Sequence, residues 1–310
     1  MGILSYATKR LSIGFFIVIF VSLILFIFMQ LLPGDPITLL TAGERVSQQR
    51  IEELRRAWGL DQPIYIQFFF WLSHMLQGDF GTSFVFKLPV VRVVLPRIPA
   101  TLQLTITALI ISYIFGIILG TLSAVRRGLL SERILTGFYT FLYSIPTYWL
   151  GAMLMLAFGF YLRVLPISGY GTPAHLVLPA STLALPNIAI FARMMRTEVL
   201  ETLYEEYVRT AMAKGLPRYV VLFKHMMRNA LIPVTVLFFL ELPWTIGGAV
   251  IVEAIFSWPG MGNLLYRSIL MQDYPVVMFI IFLISIFTVI SNIIGDILTA
   301  ILDPRITLKG

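Results

Sequence analysis

From residue 11 to residue 32 the chain runs 22 positions without a formal charge. A helix needs roughly 20 apolar residues to cross about 30 Å of hydrocarbon, and only a structure that satisfies its own peptide groups survives there. Five further windows meet or approach that length: 101–125, 134–161, 175–191, 231–252 and 276–302. Composition agrees, with 58% hydrophobic and 13% charged residues where a soluble domain carries about 25% charged. The expected fold class is an all-α polytopic membrane protein with six transmembrane helices.

The first window follows Lys9 and Arg10, as a signal peptide would. Its apolar run is longer than the usual signal core, and it ends in Pro33-Gly34-Asp35 without a small-residue cleavage site, so it reads as a retained anchor. The net charge of +7 finds a better explanation in topology than in nucleic acid, since no basic run is interleaved with aromatics in a soluble domain. With the amino terminus inside, the inner segments hold Lys9, Arg10, Arg126, Arg127, Arg133, seven basic residues from Arg193 to Arg228, Arg305 and Lys309. The short outer loops 162–174 and 253–275 hold only Arg163 and Arg267. Both ends are therefore expected inside. Cysteine is absent, which excludes disulfides and thiolate metal sites.

Pro146, Pro179, Pro186 and Pro243 fall within spans. Each removes a backbone donor that lipid cannot replace, so these turns must be buried against other helices or line a cavity. Pro146 and Asn187 are candidate path-lining residues; Glu241, an intramembrane carboxylate of the kind that is costly and by default functional, either lines the path, pairs with another subunit or is a protonated group hydrogen-bonded within the bundle. Asp296 lies nearer the inner end, where a structural role suffices. Gly116 and Gly120 form a GxxxG face for close helix approach. No phosphate loop, HExxH, GxSxG or GxGxxG is present, which lowers the prior for an enzyme, and His74, His175 and His225 fall on different segments.

Two polar segments interrupt the spans. Residues 33–100 contain an amphipathic stretch at 47–58 and an aromatic helical face at 63–75, and read as a small extracytoplasmic subdomain on the membrane surface. On the inner side, Leu200, Leu203, Tyr204, Tyr207, Val208, Ala211 and Met212 recur at helical spacing, with Glu205, Glu206, Arg209, Thr210 and Lys214 among them. Gly215-Leu216-Pro217 then ends this helix, and a second short helix is expected over 218–228. The expected divisions are 1–32, 33–100, a core at 101–302 that includes a coupling loop at 196–230, and a tail at 303–310.

Arg209-Thr-Ala-Met-Ala-Lys-Gly215-Leu, followed by His225-x-x-Arg228-Asn229-Ala-Leu-Ile-Pro233, resembles the coupling-loop signature of ABC importer permeases in the peptide and nickel uptake branch. LLPGDP at 31–36, GLDQPIYIQ at 59–67, GDFGTS at 78–83, SIP at 144–146, VEAIFSWPGMG at 252–262, DYPVV at 273–277 and LDPR at 302–305 extend the resemblance along nearly the whole chain. The broader superfamily has Glu-Ala-Ala six residues before the glycine and a later Leu-Pro. Here Arg209-Thr210-Ala211 and Met227-Arg228 stand instead, which matches the narrower branch.

The resemblance implies a type I ABC importer permease fold, in the cytoplasmic (inner) membrane of a bacterium or archaeon. It implies a second homologous permease as partner, two ATPase subunits inside that hold ATP and Mg, and an extracytoplasmic solute-binding protein. On the same ground the chain itself is non-catalytic, the 205–217 segment is gripped by an ATPase, and Trp258, Pro259, Gly260 and Gly262 border the outer mouth. Peptides are the expected cargo, with nickel or a metal chelate, glutathione or an oligosaccharide as alternatives. A stand-alone secondary transporter or channel is the rival reading. It would favour inverted repeats and paired broken helices, and no clear internal repeat is visible.

Overall fold

The computed structural model describes residues 3–31, 47, 49, 52, 53, 56 and 61–302. The amphipathic stretch at 47–58, most of the 31–36 motif and the 303–310 tail thus lie largely or wholly outside the described residues. Ten helices account for most of what is described: α1 (Ile3–Leu31), α2 (Ile64–Leu76), α3 (Val90–Val125), α4 (Leu130–Ser144), α5 (Thr147–Tyr161), α6 (Pro173–Thr202), α7 (Glu206–Ala213), α8 (Arg218–Ile255), α9 (Met261–Leu270) and α10 (Tyr274–Leu302).

Five of these, α1, α3, α6, α8 and α10, are long and apolar enough to cross a membrane singly. The expected third span, 134–161, is instead two helices, α4 and α5, meeting at a 100° bend. Proline explains the break. Pro146 offers no N–H to continue the helix, and the residue before a proline is driven out of the helical region, as the extended Ile145 (ψ 126) shows. A count of six spans holds if the bent pair is taken as one.

The helix that carries the second span begins at Val90, within the expected outer segment, runs through a tighter turn at Leu95–Arg97 and continues as one rod to Val125. Before it, α2 lays Phe68 and Trp71 against Phe26 of α1, with ring centroids 5.4 and 5.9 Å apart. Phe80 packs on Phe279 of α10 at 4.1 Å. The Asp273 carboxylate is buried where it accepts the Ser83 hydroxyl and the Phe84 N–H (2.9 Å), fastening this segment to the start of α10.

The α3–α6 contact is the centre of the bundle, and Gly116 with Gly120 makes it possible. A Cβ on Gly116 would strike the side chain of Phe191, and one on Gly120 would lie 2.5 Å from the carbonyl oxygen of Ala192 and 2.8 Å from Cβ of Met195. The GxxxG face is therefore internal to this chain. Since the obstruction at Gly120 is backbone, Gly120→Ala must push the helices apart. The expected cost is about 1–3 kcal/mol, read as a lowered melting temperature of the detergent-purified protein; an unchanged melt would rule out the tight contact. α8 joins the same core through Tyr113 and Thr235, whose hydroxyls are 2.8 Å apart.

Helix directions fix the sides. Arg10 near the start of α1 pairs with Asp296 near the end of α10 at 3.1 Å, so α1 and α10 run antiparallel and their outer ends share one face. Arg127, just beyond α3, donates to the Tyr204 hydroxyl beyond α6 (2.9 Å). The start of α3 lies at the opposite end, where the Ala100 carbonyl accepts the indole N–H of Trp258 (2.8 Å). The face with Arg10, Arg127 and Tyr204 is the one to which the basic residues assign the cytoplasm.

Candidate functional site

The cytoplasmic segment between α6 and α8 is built around a glycine. Gly215 has φ +76, a left-handed conformation that side chains with a Cβ resist. Its N–H donates to the Met212 carbonyl (3.0 Å), and the Leu216 N–H donates to the Ala211 carbonyl (3.4 Å). These two bonds are the Schellman closure of a helix end. Pro217, extended at ψ 145, then starts α8.

Two expectations about this segment change. The apolar period from Leu200 to Met212 is not one helix: α6 stops at Thr202, Leu203 to Glu205 turn, and α7 starts afresh at Glu206. The turn lets α7 point Val208 and Ala211 into a core formed with Val199, Val221, Met226 and Ala230. Likewise no separate short helix ends at 228. Arg218–Ile255 is one continuous helix of 38 residues with a wider π-helical stretch at Val221–Met226.

Of the predicted coupling residues, Glu205, Glu206, Arg209, Thr210, Lys214, Gly215, Leu216 and Pro217 are exposed. Ala211 is only 5% exposed and belongs to the core, so it supports this surface from beneath and cannot meet a partner. The segment is held as a body: Asn229 of α8 donates to the Tyr207 hydroxyl (2.8 Å), and Arg196 of α6 binds the Glu132 carboxylate of α4. Tyr204, expected on the apolar face, is exposed, and with Tyr219 and Phe223, which were not singled out in the sequence, it extends the surface.

At the other end, α8 and α9 meet in an elbow at 256–260. Trp258 is 1% exposed, packed edge-to-face on Tyr170 (4.7 Å) and hydrogen-bonded to Ala100, so it is a core residue and not part of an open mouth. Pro259 is half-buried. The organising group is Glu253, which sequence reasoning missed. Fully buried, it accepts the Asn263 N–H (3.0 Å), while Thr101 accepts the Met261 N–H (2.8 Å). Two of the first N–H groups of α9, which no helix can satisfy internally, are thus met by side chains of α8 and α3. Asn263 in turn donates to the Trp258 carbonyl (2.9 Å). Gly260 and Gly262 are needed for space: a Cβ on Gly260 would fall on the Glu253 carboxylate, and one on Gly262 would lie 2.5 Å from Cα of Val250.

Between the two ends, the predicted path-lining residues separate. Pro146 is exposed at the α4–α5 bend. Asn187 of α6 donates to the Thr245 hydroxyl of α8 (3.4 Å), which itself donates to the backbone carbonyl of Glu241 one turn earlier (2.8 Å).

The family described as the binding-protein-dependent transport system inner membrane component matches residues 116–308, and its N-terminal membrane-component counterpart matches 3–105. The glutathione transport system permease protein GsiC of Escherichia coli (strain K12) is 39% identical over 307 residues, covering 99% of this chain and 100% of that protein. GsiC of Salmonella typhimurium (strain LT2) is 39% identical over 306 residues with the same coverage. The fold is shared with a chain of the MetNI methionine ABC transporter solved in inward-facing conformations, at TM-score 0.55 and 17% identity over 69% of this chain and 97% of that one. An amino acid ABC transporter solved with histidines gives 0.51 and 14%, over 69% and 94%. The chain belongs to the binding-protein-dependent transport system inner membrane component family and is a membrane permease subunit of an ABC importer.

Proposed function

We propose that this chain forms half of a pathway for short peptides, paired with a second homologous permease in the cytoplasmic membrane of a bacterium or archaeon. Two ATPase subunits, which hold the ATP and Mg, grip it at 205–217, and a solute-binding protein delivers cargo to the opposite face. The chain contributes no catalysis of its own. The observation that carries this reading is the Schellman-closed turn at Gly215, whose inner face is core and whose outer face is exposed. A partner pressing on such a turn moves α6 and α8 with it, whereas a pliable loop would absorb the push.

The cargo reading rests on chemistry. The GsiC relatives are named for glutathione, which is itself a peptide of three residues, and peptides were the expectation from the chain's motifs. The reconstituted transporter in proteoliposomes, supplied with binding protein and internal ATP, is expected to accumulate radiolabelled trialanine or glutathione. Without ATP, or with this chain alone, uptake is expected to stay at background. Uptake by the chain alone without ATP would favour the stand-alone transporter, and accumulation of a nickel chelate or an oligosaccharide in place of either peptide would replace the cargo.

A further inference from the structure

The middle of α8 combines a carboxylate with an exposed indole. Glu241 is the central residue of the regular stretch Met227–Ile255. Three residues on, and hence on the adjoining strip of helix surface, Trp244 is 79% exposed. Tryptophan otherwise concentrates at the membrane boundary, where its N–H meets water. Leu240, Gly247 and Ile251 continue the exposed strip, and Gly247 has nothing within 4 Å of where a side chain would begin.

Glu241 stands on the flank of that strip, half-buried, on the side where Asn187 of α6 reaches the Thr245 turn. The Asn187 amide donates one of its two N–H groups to Thr245, and its carbonyl oxygen is an acceptor. By helical spacing Glu241 lies between the exposed Trp244 and the Thr245 position that Asn187 meets, so a carboxylate, an amide and an indole lie within two turns at the α6–α8 seam. All three suit the same guest. The carboxylate and amide accept hydrogen bonds from an ammonium, and an indole face attracts a cation by about 0.5–2 kcal/mol in surroundings like these.

We propose that Glu241, Trp244 and Asn187 form a pathway subsite for the primary ammonium group of the passing solute, which in a peptide is its amino terminus. This rests on the peptide reading above. The site is open on the side away from α6, so the group can be met and released as the pathway changes its access.

The test uses the complete reconstituted transporter and trialanine, with N-acetyl-trialanine as the neutral probe. Glu241→Gln is expected to lower the initial rate of trialanine uptake about ten- to hundredfold, the scale of a lost charge-assisted hydrogen bond. Trp244→Leu is expected to lower it several-fold, and Glu241→Asp to restore part of it. Slow uptake of the acetylated probe is expected to be the same in the wild type and Glu241→Gln. ATPase stimulation by loaded binding protein and co-purification of all subunits are expected to be unchanged.

Equal losses for both probes would overturn the subsite, as would unchanged trialanine uptake by Glu241→Gln and Trp244→Leu. Failure of Glu241→Gln to co-purify with the second permease would assign the carboxylate to a basic group of that chain and likewise overturn it. If the wild type moves no trialanine at all, the peptide reading falls and the subsite with it. Failure confined to the variants leaves the peptide reading standing.

Discussion

Gly215→Pro is expected to leave the chain inserted and paired with its partners' membrane half, yet to reduce ATP-driven uptake by about 30-fold or more, the scale of losing an interface anchor. Two physical causes act together. Proline fixes φ near −65°, whereas Gly215 sits at +76, so the direction of the chain between α7 and α8 must change. Proline also lacks the N–H that closes the turn on the Met212 carbonyl. Gly215→Trp reaches the same functional loss by another route, because nothing lies within 4 Å of a Cβ built there and the indole would project outward into whatever docks. Gly215→Ala is the control: the left-handed conformation costs an alanine about 1–2 kcal/mol, so the turn persists in part and so does uptake. Uptake in vesicles, measured beside basal ATPase activity, checks all three. Wild-type uptake by the proline and tryptophan variants would remove the turn from the coupling route.

Gly260→Ala is expected to be strongly destabilising. The added methyl group would fall on the Glu253 carboxylate, which has no room to retreat because it is fully buried and bonded to the Asn263 N–H. Overpacking of this kind costs up to about 3 kcal/mol, and displacing the carboxylate also leaves buried N–H groups of α9 unmet. Glu253→Ala alone is expected to destabilise by removing the cap. The double variant Gly260→Ala with Glu253→Ala should then be less damaged than the sum of the two, since the obstruction disappears with the carboxylate. Melting of the detergent-purified protein measures the cycle. Additive losses would show that residue 260 and Glu253 do not press on each other.

Much of this was legible in the residues, and the failures have causes. Apolar windows located the spans because lipid demands length and composition alone. They could not show that 134–161 bends by 100° at Pro146, since averaging over a window hides where one missing N–H acts. The period from Leu200 to Met212 carried through the turn at 203–205 because no glycine or proline marks the break. The turn exists to bring Val208 and Ala211 against α8, a demand made by residues more than ten positions away. Gly215 was found because its constraint is local and leaves a glycine in the sequence. Glu253 was missed because its partners, Asn263 and the glycines at 260 and 262, are gathered by a fold-back that spacing does not reveal. Trp258 was placed at the outer mouth by the resemblance, and its burial and bond to Ala100 put it in the core instead.

The pairing of α1 with α10 has a consequence for how the protein is made. Ribosomes deliver α1 first, but its main packing surface, including Val289 against Gly14 and Asp296 against Arg10, is the last helix to emerge. Throughout synthesis α1 must wait in the bilayer while the α3–α6 contact forms within a chain already available. A chain cut short before α10 would therefore lack the surface against which α1 mainly packs.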